Sequence, residues 1–317
     1  MSPAARWLTG LAIPALLAAD ALAAEPLPNQ EAALWLQRMA DSARRLPYEG
    51  VFVFSHGDAM QTMHIVNRSA GPLKESFLTT LDGNRREVVC RQGESLSMVP
   101  DGSGVRTERR LSSRHFPDLL PANAAALTSW YTVRLGEMDR VAGLDCRWLQ
   151  LTPKDIYRWG YVLCAESSSQ LPLKAMMVNE SGKPLLQYAF TEVRIGAPPR
   201  ASNQPRNPPA AEQPTRTSPT EVVTVRQLPP GYTRVVAVKR KLPNRPNEVE
   251  HWVYSDGLTH ISLFIEPALR PVETVRGESA KGMLNLLTRQ VGNWQVTVLG
   301  DAPWPAVEAI AMALEER

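Results

Sequence analysis

The sequence has none of the strong motifs that identify most enzymes. It contains no H-E-x-x-H zinc motif, no G-x-S-x-G nucleophile elbow, no Walker-type phosphate loop, no dinucleotide-binding glycine motif and no C-x-x-C pair. The five histidines are scattered along the chain, and a zinc site needs three or four protein ligands. We therefore expect a protein that is not an enzyme, holds no metal ion and uses no cofactor.

A strong excess of one charge is also missing. The 35 basic and 32 acidic residues leave a net charge of +3, which is too small for the basic surface that a nucleic-acid partner requires. Hydrophobic residues make up 44% of the 317 residues. This is an ordinary globular composition and a length typical of about two domains. We expect no nucleic acid among the partners.

Long apolar runs are absent except at the N-terminus. Arg6 precedes a mostly apolar stretch at 7–19, and residues 21–23 (Ala-Leu-Ala) have the small-x-small pattern that signal peptidase cleaves after. The stretch is shorter than the about 20 residues of a membrane-spanning helix, which makes an uncleaved anchor the less favoured alternative. We predict a cleaved signal peptide at 1–24 and, because the first cysteine is Cys90, no lipoprotein processing.

Cysteine is rare, with three residues in the chain. Cys146 and Cys164 flank a predicted turn, and pairing of Leu151 with residues 157–159 would place the two cysteines almost directly opposite each other. Directly opposite Cβ atoms are about 4.5–5.5 Å apart, so a disulfide fits there. Two buried thiols are the alternative. Cys90 is predicted to be a free thiol.

The periodicity of the mature chain predicts two mainly antiparallel domains. A helix near Asn29, with an apolar stripe that includes Leu34, is followed from Tyr48 by short strands and tight turns. A proline-rich segment then has too few large apolar residues to offset its ordering entropy. The predicted units are an N-terminal domain at 25–196, a linker at 197–221 and a smaller α+β domain at 222–317.

Aromatic residues of the first domain leave two alternatives open. Phe52, Phe54, Trp130, Trp148 and Trp159 lie mostly on predicted strands. They either fill the core of a sheet or line an apolar cavity in a half-closed barrel capped by a helix. Aromatic residues are generally enriched in strands, which favours the filled core. These five residues are nevertheless our candidates for a lipid-binding cavity.

Five segments carry a resemblance to a known family. They are YEGVFVF at 48–54, LDGNRREVV at 81–89, RWGYVLCAE at 158–166, LPPGY at 228–232 and HWVYSDGLTHISLFIEP at 251–267. Each motif alone has modest specificity, but all five follow one another along nearly the whole mature chain. The sequence resembles the RseB/MucB family of periplasmic regulators of envelope-stress sigma factors.

The resemblance implies an N-terminal domain similar to the lipoprotein carriers LolA and LolB, an unclosed β-barrel with helices, followed by a smaller α+β domain. It implies a periplasmic protein that binds the periplasmic domain of an RseA/MucA-type anti-sigma factor and shields it from proteolysis. Lipid or a lipopolysaccharide fragment in the cavity would then release the partner. A periplasmic carrier of lipids or lipoproteins is the alternative function, and self-association into a homo-oligomer stays open.

A β-hairpin around residues 255–258 is the element that we expect to hold the partner, together with the groove between the domains. Tyr254, Asp256, Ile261 and Phe264 are the candidate partner-binding residues on this hairpin. The alternative is that these four side chains only form the hairpin and its core.

Overall fold

The computed structural model describes eight segments of the chain. They are residues 25–70, 73–91, 94–101, 104–111, 115–196, 218–241, 247–278 and 283–317. The predicted signal peptide and most of the predicted linker lie outside these segments, so the predicted cleavage site and the domain boundaries stay predictions. No helix of the described segments is long and apolar enough to cross a membrane.

Eleven strands form the first sheet. In chain order they are Tyr48–His56 (β1), Ala59–Ala70 (β2), Leu73–Thr80 (β3), Glu87–Arg91 (β4), Glu94–Asp101 (β5), Gly104–Leu111 (β6), Tyr131–Val141 (β7), Leu144–Pro153 (β8), Gly160–Glu166 (β9), Pro172–Val178 (β10) and Pro184–Ile195 (β11). Neighbouring strands are antiparallel throughout.

The first sheet is open. Its strand order is β6-β5-β4-β3-β2-β1-β11-β10-β9-β8-β7, so that among the described strands β6 and β7 are the two edges. The chain enters at the central strand β1, runs outward to β6, crosses to the opposite edge and returns to the centre at β11. Short strands separated by turn residues favour such an antiparallel meander. The predicted unclosed and mainly antiparallel fold is confirmed.

One face of the first sheet packs against helix α1 (Asn29–Arg45) and a 3-10 helix at Ala124–Ser129. Leu36 and Met39 of α1 are fully buried in the shared core. Leu34, by contrast, is 51% exposed, so the predicted apolar stripe was wrong at this position. Residues two positions apart in a helix are separated by about 200° of rotation. Leu34 therefore points away from the face that carries Leu36.

The second part of the chain contains a six-stranded antiparallel sheet and a short two-stranded one. Its strands are Val223–Val225 (β12), Thr233–Lys241 (β13), Glu248–Ser255 (β14), His260–Pro267 (β15), Val275–Glu278 (β16), Asn285–Val291 (β17), Trp294–Gly300 (β18) and Leu314–Glu316 (β19). The order of the larger sheet is β13-β14-β15-β18-β17-β16, and β12 pairs with β19.

Helix α2 (Trp304–Met312) packs on β17 and β18 and buries one face of the second sheet. The strand register aligns Trp252, Leu263, Val298 and Leu287 across four strands on that face. All four are at most 1% exposed. Because side chains alternate between the faces of a strand, one apolar row of this kind fixes the register of the whole sheet.

Cys146 and Cys164 form a disulfide that links β8 to β9, with the Cα atoms 5.5 Å apart. The register differs from the predicted one, because Leu151 pairs with Tyr161 and Cys146 therefore pairs with Glu166. The two cysteines are diagonal neighbours and not directly opposite. The predicted register was wrong because the connection between β8 and β9 is a loop longer than the predicted turn. Cys90 is a buried free thiol.

Loss of the Cys146–Cys164 disulfide should lower the free energy of unfolding by about 3 kcal/mol. Without the disulfide, the loop that it closes gains conformational entropy in the unfolded state, which favours unfolding. Chemical unfolding with and without reductant measures this difference. The variant Cys146→Ala/Cys164→Ala should show the same loss and no further effect of reductant. Equal midpoints for the oxidised and reduced wild type would contradict the expectation.

Candidate functional site

Three loops meet where the first sheet contacts the second, and we call this region the junction. The loops are 154–159 between β8 and β9, 226–232 before β13, and 256–259 between β14 and β15. Leu258 and Met283 from the second part pack against the core of the first sheet. Tyr157 from the first part packs against the core of the second sheet. The two parts thus exchange apolar side chains.

Arg158 is the centre of the junction. Its side chain is 0% exposed, and its Nε lies 3.2 Å from Oδ2 of Asp256 on the other side of the junction. The same guanidinium pairs with Asp155 of its own loop and donates a hydrogen bond to the carbonyl oxygen of Pro230. A buried charge is tolerated only when it is paired and hydrogen-bonded. These partners therefore determine where the two parts meet.

Two aromatic rings enclose the guanidinium of Arg158. Its Cζ lies 4.8 Å from the ring centroid of Trp130 and 5.5 Å from that of Tyr232, within the range of cation–π attraction. The Tyr232 hydroxyl is 2.9 Å from both the Tyr157 carbonyl oxygen and the Thr259 hydroxyl. Burial raises the pKa of Tyr232 well above its usual value, so its hydroxyl stays protonated and available as a donor.

Asp256 has two roles in the junction. Its Oδ1 accepts hydrogen bonds from the backbone N–H groups of Leu258 and Thr259 at 2.9 and 2.8 Å, which shapes the turn between β14 and β15. Its Oδ2 faces Arg158. The carboxylate thus couples the conformation of the hairpin turn to the position of the first part.

Asp301 provides a second polar contact across the junction. The indole N–H of Trp159 donates to the backbone oxygen of Asp301 at 3.0 Å, and the His260 N–H donates to its carboxylate at 2.6 Å. Burial raises the pKa of the Asp301 carboxyl to about 6, opposed by the hydrogen bond from His260 and reinforced by the nearby charge of Asp256. The group therefore titrates close to neutral pH.

A cleft of about 250 Å³ opens beside the junction. One wall belongs to the first part and includes Pro121, Leu127 and Trp130, and the other includes Thr233 and Val235 of strand β13. Asp256 also contributes to the lining. The cleft combines apolar walls with a few polar groups, a composition typical of binding sites.

The predicted partner-binding residues lie in three different places. Tyr254 and Ile261 are buried in the core under α2, with 4% and 0% exposure. Phe264 lies on the opposite face of the sheet, stacked on His251 with ring centroids 4.6 Å apart. Asp256 lines the cleft, but its carboxylate is occupied by the hairpin turn and by Arg158.

The predicted cavity residues are also separated. Phe52 and Phe54 belong to a cluster of rings in the core of the first sheet, in which centroid distances of 4.9–6.2 Å leave the rings in contact. Trp130 lines the cleft, and Trp159 belongs to the junction. Trp148 and Leu149 are consecutive residues of strand β8, so their side chains lie on opposite faces of the first sheet. Trp148 is therefore on the face that does not carry the ring cluster.

Three further members of this aromatic cluster, Phe116, Tyr188 and Phe190, were not among the predicted cavity residues. Tyr188 and Phe190 alternate on strand β11, so their position on one sheet face could have been found from the period of two. Phe116 lies in an irregular segment that has no such signal. Within the described segments, no group of histidine, cysteine or acidic residues could hold a metal ion.

Comparison with known proteins identifies the family. The MucB/RseB N-terminal domain matches residues 31–211, and the MucB/RseB C-terminal domain matches residues 217–315. The chain belongs to the MucB/RseB family. It is 31% identical over 314 residues to the sigma factor AlgU regulatory protein MucB of Pseudomonas aeruginosa, covering 96% of this chain and 93% of that protein.

Two further MucB/RseB relatives extend the comparison. The sigma-E factor regulatory protein RseB of Escherichia coli K12 is 24% identical over 281 residues, covering 87% of this chain and 88% of that one. A crystal structure of MucB in complex with MucA(peri) is 30% identical and covers 90% of this chain and 99% of its own, with a TM-score of 0.72.

Three segments that carry the MucB/RseB resemblance converge on the junction. They are RWG at 158–160, LPPGY at 228–232 and the part of the hairpin at 254–260. Arg158, Pro230, Tyr232 and Asp256 come from these segments and contact one another. Three of the five segments thus contribute residues to the junction.

Gly231→Ala should destabilise the protein more than Gly182→Ala. Both glycines have a left-handed backbone, with φ of +80° and +77°, but a Cβ at Gly231 would lie 2.6 Å from Trp130 and 2.6 Å from Arg158, whereas nothing lies within 4 Å at Gly182. The backbone cost is common to both variants, and overpacking should add about 1–3 kcal/mol at Gly231. Chemical unfolding measures both, and equal losses would contradict the close approach.

Asp301→Asn should flatten the dependence of stability on pH. The folded pKa of about 6 lies above the ordinary 3.8, so the folded state binds the proton more tightly. The resulting stabilisation is complete below about pH 4 and is lost as the pH rises through 6. Because part of the residue remains accessible, we expect an effect of about 1–2 kcal/mol.

Denaturant unfolding between pH 4 and 7 checks this expectation. The exposed carboxylate Asp58 supplies the control variant Asp58→Asn, which should follow the wild-type curve. A curve for Asp301→Asn that runs parallel to the wild type over this window would show that the Asp301 carboxyl does not stabilise the fold in its protonated form.

Proposed function

We propose that the protein is a periplasmic negative regulator of an envelope-stress sigma factor, which binds the periplasmic domain of the cognate anti-sigma factor and shields it from proteolysis. The observation that carries this proposal is the likeness to MucB in complex with MucA(peri), at 30% identity over 90% of this chain. Shielding requires a binding surface and no chemistry, so the proposed protein is not an enzyme. It would be exported by a signal peptide at 1–24, which is then cleaved, and would carry no lipid anchor.

The cleft beside the junction is the proposed place for the partner. Its second wall is strand β13, the edge strand of the second sheet, and an edge can accept a further strand from a bound segment. Val235 lies at an irregularity in the pairing with β14 and is 45% exposed. The strand carries four cationic and no anionic residues. We therefore propose an extended partner segment with apolar and acidic side chains.

Lipid release is the finer part of the proposal. Burial and, to a smaller extent, the nearby charge of Asp301 raise the pKa of Tyr188, a member of the aromatic cluster in the first core, to about 12. Leu258 and Met283 of the second part pack on the same core. A lipid or lipopolysaccharide chain that enters among these rings would displace the second part, change the cleft and so release the partner.

A periplasmic carrier of lipids or lipoproteins is the second candidate function. The packing of Leu258 and Met283 on the core of the first sheet favours it, because displacement of these two side chains would open that core to an apolar cargo. The two functions differ in one measurable property. A sensor loses affinity for the anti-sigma factor when lipid binds, whereas a carrier transfers lipid to an acceptor irrespective of that partner.

Val235→Asp should weaken binding of the cognate anti-sigma factor's periplasmic domain by about tenfold or more, because the carboxylate would replace an apolar contact in the cleft and repel the acidic side chains of the proposed partner segment. Val275→Asp is the matched control, since Val275 is 51% exposed on the opposite edge strand of the same sheet. Calorimetry or pull-down with the mature protein, repeated with lipopolysaccharide fragments, measures both variants.

Three outcomes of this experiment are informative. Binding by the wild type and Val275→Asp but not by Val235→Asp supports both the function and the cleft. Equal binding by all three removes the cleft as the binding place. Absence of wild-type binding would count against the regulator and favour the carrier.

A further inference from the structure

Arg158 contacts both walls of the cleft from behind. Its guanidinium lies against the Trp130 ring of the first wall and donates to the carbonyl of Pro230, the residue before Gly231 in the second wall. Its side chain is 0% exposed, and it does not belong to the residues that line the cleft. Arg158 therefore touches the walls without being accessible to an occupant.

The charges around Arg158 resist separation of the walls. Asp256 comes from the second part and is 0% exposed at its side chain, whereas Asp155 comes from the first part and is 23% exposed. A small displacement of the parts would lengthen the contact between Arg158 and Asp256 before water can enter between them, which is unfavourable. The ion pair thus favours one separation of the two parts.

The hydrogen bonds of Arg158 also restrict rotation. Apolar contacts such as those of Leu258 and Met283 are non-directional and allow two surfaces to slide. A guanidinium is planar and presents five N–H donors in a fixed arrangement. The guanidinium of Arg158 lies between the rings of Trp130 and Tyr232 and forms hydrogen bonds at its edge. These contacts allow only a narrow range of orientations of one part relative to the other.

We infer that Arg158 is a positioning residue, which sets the separation and angle of the cleft walls and thereby the affinity of the cleft for its partner. This inference rests on the proposed function and names a determinant of that binding that does not touch the partner. It assigns to the motif RWG at 158–160 a role in holding the two parts together.

Arg158→Met should lower the affinity for the anti-sigma periplasmic domain by about tenfold or more, because the walls no longer keep one separation. Arg158→Lys keeps the charge but neither the planar donors nor the stacking, so we expect an intermediate loss. The matched control is Arg68→Met. Arg68 also lies over an aromatic ring, 5.4 Å from the centroid of Phe77, but on the first sheet.

The separation of the two parts is measured directly by pulsed electron paramagnetic resonance. Nitroxide labels at Ala122→Cys and Leu269→Cys report on the first and second parts, since Ala122 is exposed and Leu269 is 86% exposed. Buried Cys90, whose thiol pKa burial raises to about 12, should not be labelled. We expect a narrow distance distribution for the wild type and Arg68→Met, and a broad one for Arg158→Met.

The unpaired carboxylate left by Arg158→Met could prevent folding, and Arg158→Met/Asp256→Asn is the variant for that case. Its asparagine keeps the turn-shaping oxygen of Asp256 without a buried charge. A broad distribution with weakened binding in a cooperatively folded variant supports the inference. Unchanged distances would overturn it, whether or not binding is weakened.

The distance measurement also separates this inference from the proposed function. If the wild type does not bind the anti-sigma domain, the proposed function fails, and with it the link from Arg158 to affinity. The distance distributions of the free protein would still decide whether Arg158 fixes the arrangement of the two parts.

Discussion

A single buried guanidinium constrains how the two parts of this protein meet. Arg158 has a carboxylate on either side, a backbone carbonyl at its edge and aromatic rings on its faces. Removing such a charge from water is unfavourable unless every partner is in place. The bond from Tyr232 to the first part and that from Trp159 to the second both require the geometry that this ion pair fixes. The cleft exists as a consequence of that geometry.

The first sheet is open, yet its interior is filled. Its rings, among them Phe52, Phe116 and Phe190, contact each other and fill the core. Side chains from the second part cover this core in addition to α1. Leu258 lies in the loop between β14 and β15, and the second cleft wall is strand β13 of the same sheet.

Much of the architecture could be predicted from local patterns. The helix near Asn29, the strand from Tyr48 and the hairpin around 255–258 were predicted, and the structure contains them as α1, β1 and the β14–β15 pair. Strands β6 and β17 were missed, because GVRTERRL and NLLTRQV lack a clear alternation of apolar and polar residues. The register at Cys146 was predicted two residues from its observed position, since loop length is not apparent from the residues of a turn.

The sequence by itself indicated the family, a mainly antiparallel fold and the pair of cysteines that could form a disulfide. It also drew attention to Asp256, but not to the reason for its presence. Only the tertiary structure decided that Arg158 meets Pro230, 72 residues further along, and that Trp159 meets Asp301, 142 residues away. Periodicity shows which face of a strand is buried, but it contains no information on which distant loop will cover that face. The site depends on those distant contacts, so only the folded chain defines it.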